Sequence, residues 1–92
     1  MRFVTTYRFK PFSTKEETQQ LLATFAEVGN APGVTDHLVF TDGTGGVVMG
    51  ETDDIKGLYR NVIAYGQFVE FDTHVAPTAE EAVPEVAAVV TA

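Results

Sequence analysis

The alternation of strand and helix patterns along the chain constrains its fold more than any other feature of the sequence. Apolar and polar residues alternate in four stretches, and apolar residues recur at helical spacing in three others. The predicted strands cover about residues 2–9, 34–41, 47–52 and 67–76, and the predicted helices cover about residues 14–28, 54–65 and 78–91. We therefore predict one domain over residues 1–92 in which each of the first two helices separates two strands.

This order is the ferredoxin-like β-α-β-β-α-β arrangement of the α+β class, extended by a C-terminal helix. Right-handed crossovers give an antiparallel sheet of strand order 4-1-3-2 with both long helices on one face. The chain has no further element to cover the opposite, open face of the sheet. We place Val4, Val39 and Phe68 there among polar groups. Because that face is too apolar for water and too polar for a dry core, a homodimer formed through it is predicted.

Composition excludes several classes of function. The net charge is −7, with 6 Lys and Arg against 13 Asp and Glu, so a nucleic-acid partner is not expected. The chain has no cysteine, which excludes disulfides and thiolate chemistry. No signal-peptide pattern is found, and no apolar run approaches the roughly 20 residues of a membrane helix. We expect an acidic cytoplasmic protein that needs no membrane, cofactor or resident metal.

The C-terminal helix has an unusual composition. Between Ala82 and Ala92 the one charged side chain is that of Glu85, and valine and alanine occupy almost every side of the helix. A helix that is apolar all round is normally buried. We therefore expect it to pack against the body of the chain or against a partner subunit. Pro84 predicts a break after its first turn.

The last predicted strand carries three ionisable groups on one face. Strand side chains alternate with period two, so these groups lie about 6.6 Å apart along the same side. The neighbouring first strand adds a hydroxyl and a guanidinium, and a second imidazole reaches them only from a partner subunit. The predicted ligand-binding group comprises Thr6, Arg8, His37, Glu70, Asp72 and His74.

A simpler explanation of this group is also open. Arg8 can pair across strands with Glu70 or Asp72, which is worth roughly 0.2–1 kcal/mol. A metal held by His37 and His74 is not predicted within one chain, because their strands are at opposite edges, about 14 Å apart. No catalytic residue is assigned, since no Ser or Thr has an identifiable base and orienting acid.

Four stretches of the chain carry a resemblance to known proteins. They are Val4–Pro11, Gly29–Val34, Glu51–Asp54 and Phe68–Asp72. Through them the sequence resembles the dimeric α+β barrel superfamily and, more closely, a bacterial family of similar length without an assigned function. The superfamily includes cofactor-free monooxygenases, lactone isomerases, haem enzymes and ligand-binding regulators. The resemblance implies a ferredoxin-like fold and a dimer of facing sheets, and it transfers no catalytic residue.

Two classes of function follow. The first is a small homodimeric binding or interaction module, with or without a small-molecule pocket. The second is a cofactor-free enzyme, similar to the monooxygenases or isomerases, that acts on a small apolar or aromatic acid. Tyr59 and Tyr65 are expected in the core or lining a cavity between helices and sheet. A cavity holding a desolvated His37 or His74 would favour the enzyme, and a solid core would favour the binding module.

Overall fold

Four strands form one antiparallel sheet in the computed structural model, which describes residues 1–11 and 13–91. The elements in chain order are β1 (Arg2–Phe9), α1 (Lys15–Val28), β2 (Val34–Val39), β3 (Gly45–Glu51), α2 (Ile55–Tyr65), β4 (Val69–Val75) and α3 (Ala79–Val90). The strand order is β2-β3-β1-β4, which reads 4-1-3-2 from the other edge. The predicted α+β, ferredoxin-like arrangement is confirmed.

β1 pairs with β3 on one side and with β4 on the other, and its helix-facing side supplies much of the core. Phe3 and Thr5 are buried on that side, with Tyr7 and Phe9 partly covered. The Thr5 hydroxyl lies 2.9 Å from the hydroxyl of Thr73 across β4. The aromatic and β-branched residues that predicted a strand therefore also fill the space beneath the helices.

Both α1 and α3 begin with a capping box. The sequence Ser13-Thr14-Lys15-Glu16 predicts the first box with Ser13 as the N-cap, and Thr78-Ala79-Glu80-Glu81 predicts the second. In α1 the N-cap is Thr14, whose hydroxyl accepts from the Glu17 backbone N–H at 3.1 Å. The Ser13 hydroxyl, predicted to be this cap, instead donates to the Lys10 carbonyl at 2.9 Å. In α3 the cap is Thr78, with its box completed by Glu81.

A β-bulge in β2 changes which residues face the helices. The register against β3 shifts between Val34 and Asp36, so one extra residue interrupts the alternation. After the bulge, His37 and Val39 face the two long helices. The predictions that Val39 and His37 lie on the open face are wrong, because a single inserted residue moves every later side chain to the other side of the strand.

Phe68 also lies away from the open face. It precedes β4, in a turn closed by a hydrogen bond from its N–H to the Tyr65 carbonyl at 2.9 Å. Its ring is buried in a core cluster with Tyr65 and Val69. The period-two pattern of β4 begins after this residue, so the predicted open-face position of Phe68 is wrong.

The open face has an apolar half and a polar half. Val4 of β1 pairs with Met49, and Leu38 of β2 pairs with Val47, on the side away from the helices. Leu38 is 57% exposed. Over β4 the same face carries the acidic and imidazole side chains of Glu70, Asp72 and His74.

α3 leaves its apolar side chains largely exposed and runs through Pro84 without a break. Its Val83, Val86, Val89 and Val90 are 61–77% exposed. The radius of gyration is 16.1 Å, against about 12 Å expected for a chain of this length. The predicted break is wrong because the Thr78 cap secures the first turn and the proline removes a single backbone hydrogen bond. In the part of the chain that the structure describes, no helix is long and apolar enough to cross a membrane.

Candidate ligand-binding site

A cavity of about 430 Å³ lies between the sheet and the helices α1 and α2. Its walls are the helix-facing side chains of the strands and the inner stripes of the two helices. Prominent among them are Phe3, Tyr7, Phe25, His37, Leu58 and Phe71. The lining is mostly aliphatic and aromatic, so the few polar groups that reach the cavity stand out chemically.

Three of these polar groups form a continuous hydrogen-bonded chain. The Tyr7 hydroxyl lies 2.8 Å from His37 Nε2, and His37 Nδ1 lies 2.9 Å from Asn30 Oδ1. An amide oxygen can only accept, so His37 Nδ1 carries a proton. In the neutral imidazole Nε2 is then the acceptor and the Tyr7 hydroxyl donates to it. Asn30 thereby fixes the tautomer of His37.

Aromatic rings hold the imidazole in place. The rings of Tyr7 and Phe25 meet His37 edge-on, with centroids 5.6 and 5.9 Å away. Tyr7 lies opposite Gly46 in the β1–β3 ladder, and a side chain at Gly46 would collide with the Tyr7 ring. The glycine therefore leaves the space in which the tyrosine reaches His37.

A second tyrosine closes the inner end of the cavity. The hydroxyl of Tyr65, a buried residue at the end of α2, donates to the Gly29 carbonyl at 2.8 Å. The amide of Asn61 donates to the same carbonyl at 3.3 Å, which ties α2 to the end of α1. Burial raises the pKa of Tyr7 and of Tyr65 above the ordinary tyrosine value, so both hydroxyls keep their protons at neutral pH.

The cavity is open along one side. Ile55 and Tyr59 of α2 line it, yet they are 59% and 67% exposed. Leu22 on α1 has a similar position and exposure. Both helices therefore present apolar side chains to solvent at the mouth of the cavity.

Five of the six predicted site residues lie on the other face of the sheet. Thr6, Arg8, Glu70 and Asp72 border a depression of about 300 Å³ there. Beyond it, His74 Nε2 lies 3.0 Å from Asp72 Oδ1, and both side chains are largely exposed. In residues 1–11 and 13–91, no three His, Asp or Glu side chains converge as metal ligands would.

The sixth predicted residue, His37, is separated from this group by the sheet. Its partners Tyr7 and Asn30 were absent from the predicted site. Asn30 follows the end of α1 and Tyr7 lies on the helix-facing side of β1, and neither position by itself indicates a ligand site. No local sequence pattern connects residues 7, 30 and 37. For Tyr7 alone a signal exists, because an aromatic residue often lies over a glycine in the neighbouring strand.

Comparison with known proteins gives a family and no activity. No curated protein matches this sequence. A family model described as "Domain of unknown function (DUF3303)" matches residues 1–90, nearly the whole chain. This agrees with the resemblance to a family without an assigned function. The chain therefore belongs to the DUF3303 family.

Proposed function

We propose that this protein binds a small, neutral and largely apolar molecule in the cavity between the helices and the sheet. The observation that carries the proposal is the Tyr7–His37–Asn30 chain within an otherwise apolar lining. Small-molecule sites are typically cavities of about 300–1,000 Å³ with apolar walls and a few placed polar groups. The cavity has this size and this composition.

The charge of the lining favours a neutral ligand over the aromatic acid expected from the sequence. Among the described residues, no Lys or Arg lines the cavity. A carboxylate entering it would lose its hydration without gaining a cation, which is costly. A flat ring system with one hydroxyl group would fill the apolar space and donate a hydrogen bond to the Tyr7 oxygen.

A cofactor-free enzyme is the second candidate, and the same hydrogen bonds between Tyr7, His37 and Asn30 support it. Tyr7 donates to His37, so a ligand hydroxyl can in turn donate to the Tyr7 oxygen. The two side chains would then form a path by which a proton moves from the ligand to His37 Nε2. Asn30 holds the imidazole in the tautomer that can accept that proton.

We expect 2-naphthol, a neutral aromatic with one hydroxyl, to bind in the cavity. The chain has two histidines, His37 and His74, which lie on opposite faces of the sheet, so imidazole NMR resonances report on both faces at once. Titration with 2-naphthol should shift the resonances of His37 and leave those of His74 unchanged. Tyr7→Phe should weaken binding by roughly two- to tenfold, the worth of one hydrogen bond.

Thr6→Val is the control, because it removes a hydroxyl on the opposite face of the sheet, outside the cavity. It should leave the affinity for 2-naphthol unchanged. The anion 2-naphthoate should bind more weakly than 2-naphthol. If His37 ignores both compounds while His74 responds to 2-naphthoate or to Zn²⁺, the cavity proposal is wrong. The open-face group of Thr6, Arg8, Glu70, Asp72 and His74 is then the better ligand site.

We also propose that the protein is a homodimer formed through the open sheet face, as in the dimeric α+β barrels. The chain exposes 6649 Å² of surface, whereas a compact monomer of 10.0 kDa exposes about 5,200 Å². The apolar half of the open face accounts for part of that excess. Its Val4, Leu38, Val47 and Met49 have no helix over them.

Leu38→Asp should convert this dimer to a monomer. The side chain is already exposed in one copy, so the variant should fold, but a dimer would bury an unpaired carboxylate. Light scattering should give roughly 20 kDa for the wild type, twice the 10.0 kDa of one chain, and about 10 kDa for the variant. Val28→Asp, on the helix side, is the control and should keep the wild-type mass. A wild-type mass of one chain at tens of micromolar would end this proposal.

A further inference from the structure

We infer that α3 of one chain packs along α2 of a second copy and covers the mouth of its cavity. The starting point is that α3 is a fully formed helix whose apolar side chains are left largely uncovered by the described part of the chain. Its Val83, Val86, Val89 and Val90 are all largely exposed. A 12-residue helix with so apolar a surface is not stable alone in water, so a partner must cover it.

The base of α3 is fixed in a direction that leads away from its own body. The Ala76 N–H donates to the Arg2 carbonyl at 3.0 Å, which extends the pairing of β4 with β1 up to the loop before α3. The Arg2 guanidinium then donates to Glu81 at 3.1 Å in the first turn of the helix. These contacts hold the first turn of α3 beside the start of β1. A second copy can reach α3 as it stands.

The exposed surface of α2 has a shape that matches α3. Ile55, Tyr59 and Ile63 recur every four residues and form an outer apolar stripe on that helix. All three are about 60% exposed or more. The valines of α3 recur every three or four residues and also form a helical stripe, so the two stripes can pack as one helix pair.

Charge favours the same pairing. The charged residues of α2 are Lys56 and Arg60, both basic, and those of α3 are Glu80, Glu81 and Glu85, all acidic. Two copies of α2 would repel each other, as would two copies of α3. An α2–α3 contact brings opposite charges together along the apolar seam.

The exposed area is large enough for such an exchange. Each chain exposes roughly 1,400 Å² more than a compact monomer of its mass. Two reciprocal α2–α3 contacts would bury part of this excess area on both copies. The area available is comparable to the total of about 1,200–2,000 Å² that stable interfaces bury. Because Ile55 and Tyr59 also line the cavity, covering them with α3 closes its open side. The binding site of one copy is then completed by the other.

Cross-linking between differently labelled copies tests this directly, since the chain has no cysteine of its own. Val86→Cys and Tyr59→Cys variants are prepared separately, mixed, and treated with a short bismaleimide. We expect a covalent dimer of roughly 20 kDa, twice the 10.0 kDa chain, at several times the yield of a mixture of Val86→Cys with Gln19→Cys. Gln19 is exposed on α1 and serves as the control.

The double variant Val86→Cys/Tyr59→Cys separates the alternatives. A bridge that forms within one chain at 10 kDa would show that α3 folds back on its own α2 and would overturn the inference. A dimer by light scattering with no more α2–α3 cross-link than the control would also overturn it, while leaving the open-face dimer intact. A Val86→Asp variant should raise the dissociation constant of the dimer at least about tenfold, and an unchanged constant would likewise contradict the inference.

Discussion

Replacing Phe3 by alanine is expected to lower the free energy of unfolding by about 3 kcal/mol. Phe3 is the largest fully buried side chain, 1% exposed, and it lies between Gly50 and Val75 in the two neighbouring strands. The glycine has no side chain to move into the vacated space, so a void remains. For a domain of this size the melting temperature should fall by more than about 10 °C, as circular dichroism would measure.

The matched control is Val75→Ala, which changes the cross-strand neighbour of Phe3. Val75 is 63% exposed, so its truncation removes little buried surface. Its effect should stay within about 0.5 kcal/mol. Equal losses for the two variants would show that Phe3 does not hold the centre of the sheet together.

A Gly46→Ala substitution is expected to destabilise the fold by about 2 kcal/mol and to break the hydrogen bond between Tyr7 and His37. An added Cβ would overlap the Tyr7 ring on one side and the Leu38 carbonyl oxygen on the other. Either the tyrosine leaves the cavity or the β2–β3 pair separates. The melting temperature and the imidazole NMR resonances of His37 should change together.

Gly66→Ala is the control for the loss of a glycine. Gly66 ends α2 with a φ of −60°, and an added Cβ would be in ordinary contact with the Val62 carbonyl oxygen at 3.4 Å. This substitution should change neither the melting temperature nor the His37 resonances appreciably. A Gly46→Ala variant that also behaves like wild type would show that Tyr7 does not need the space above Gly46.

The sequence was sufficient to predict the fold because its local signals agreed with one another. Strand alternation, two capping sequences and glycine-rich turns all indicated the same order of elements. For example, Asp53 and Asp54 both precede the apolar stripe of α2 and predict an N-cap there, and the Asp54 carboxylate does accept from the Gly57 N–H at 2.9 Å. A glycine within the α2 pattern, Gly57, predicts a close contact of this helix with the sheet, and a close contact occurs, although the neighbours are the Asp54 carboxylate and Pro32 and not the sheet.

The candidate site could not be predicted in the same way. A bulge has no clear signature in Val34–Thr41, so the face on which His37 lies was assigned by simple alternation and came out reversed. The hydrogen bonds between Tyr7, His37 and Asn30 connect two strands and a loop. Sequence spacing does not show that side chains of three separate segments contact one another. The alternation did predict correctly that residues of the neighbouring strands β1 and β4 lie together. Arg8 and Glu70, for example, are cross-strand partners.

The bulge in β2 has a second consequence, for self-assembly. β2 and β4 are the two edges of the sheet, and an unprotected edge can pair with the edge of another molecule. The bulge between Val34 and Asp36 interrupts the regular ladder at one edge, and the alternate charges of Glu70 and Asp72 border the other. Both edges of the sheet therefore hinder the addition of further strands, which would otherwise lead to filaments. The proposed dimer uses sheet faces and helices instead, and a two-fold arrangement of this kind closes after two copies.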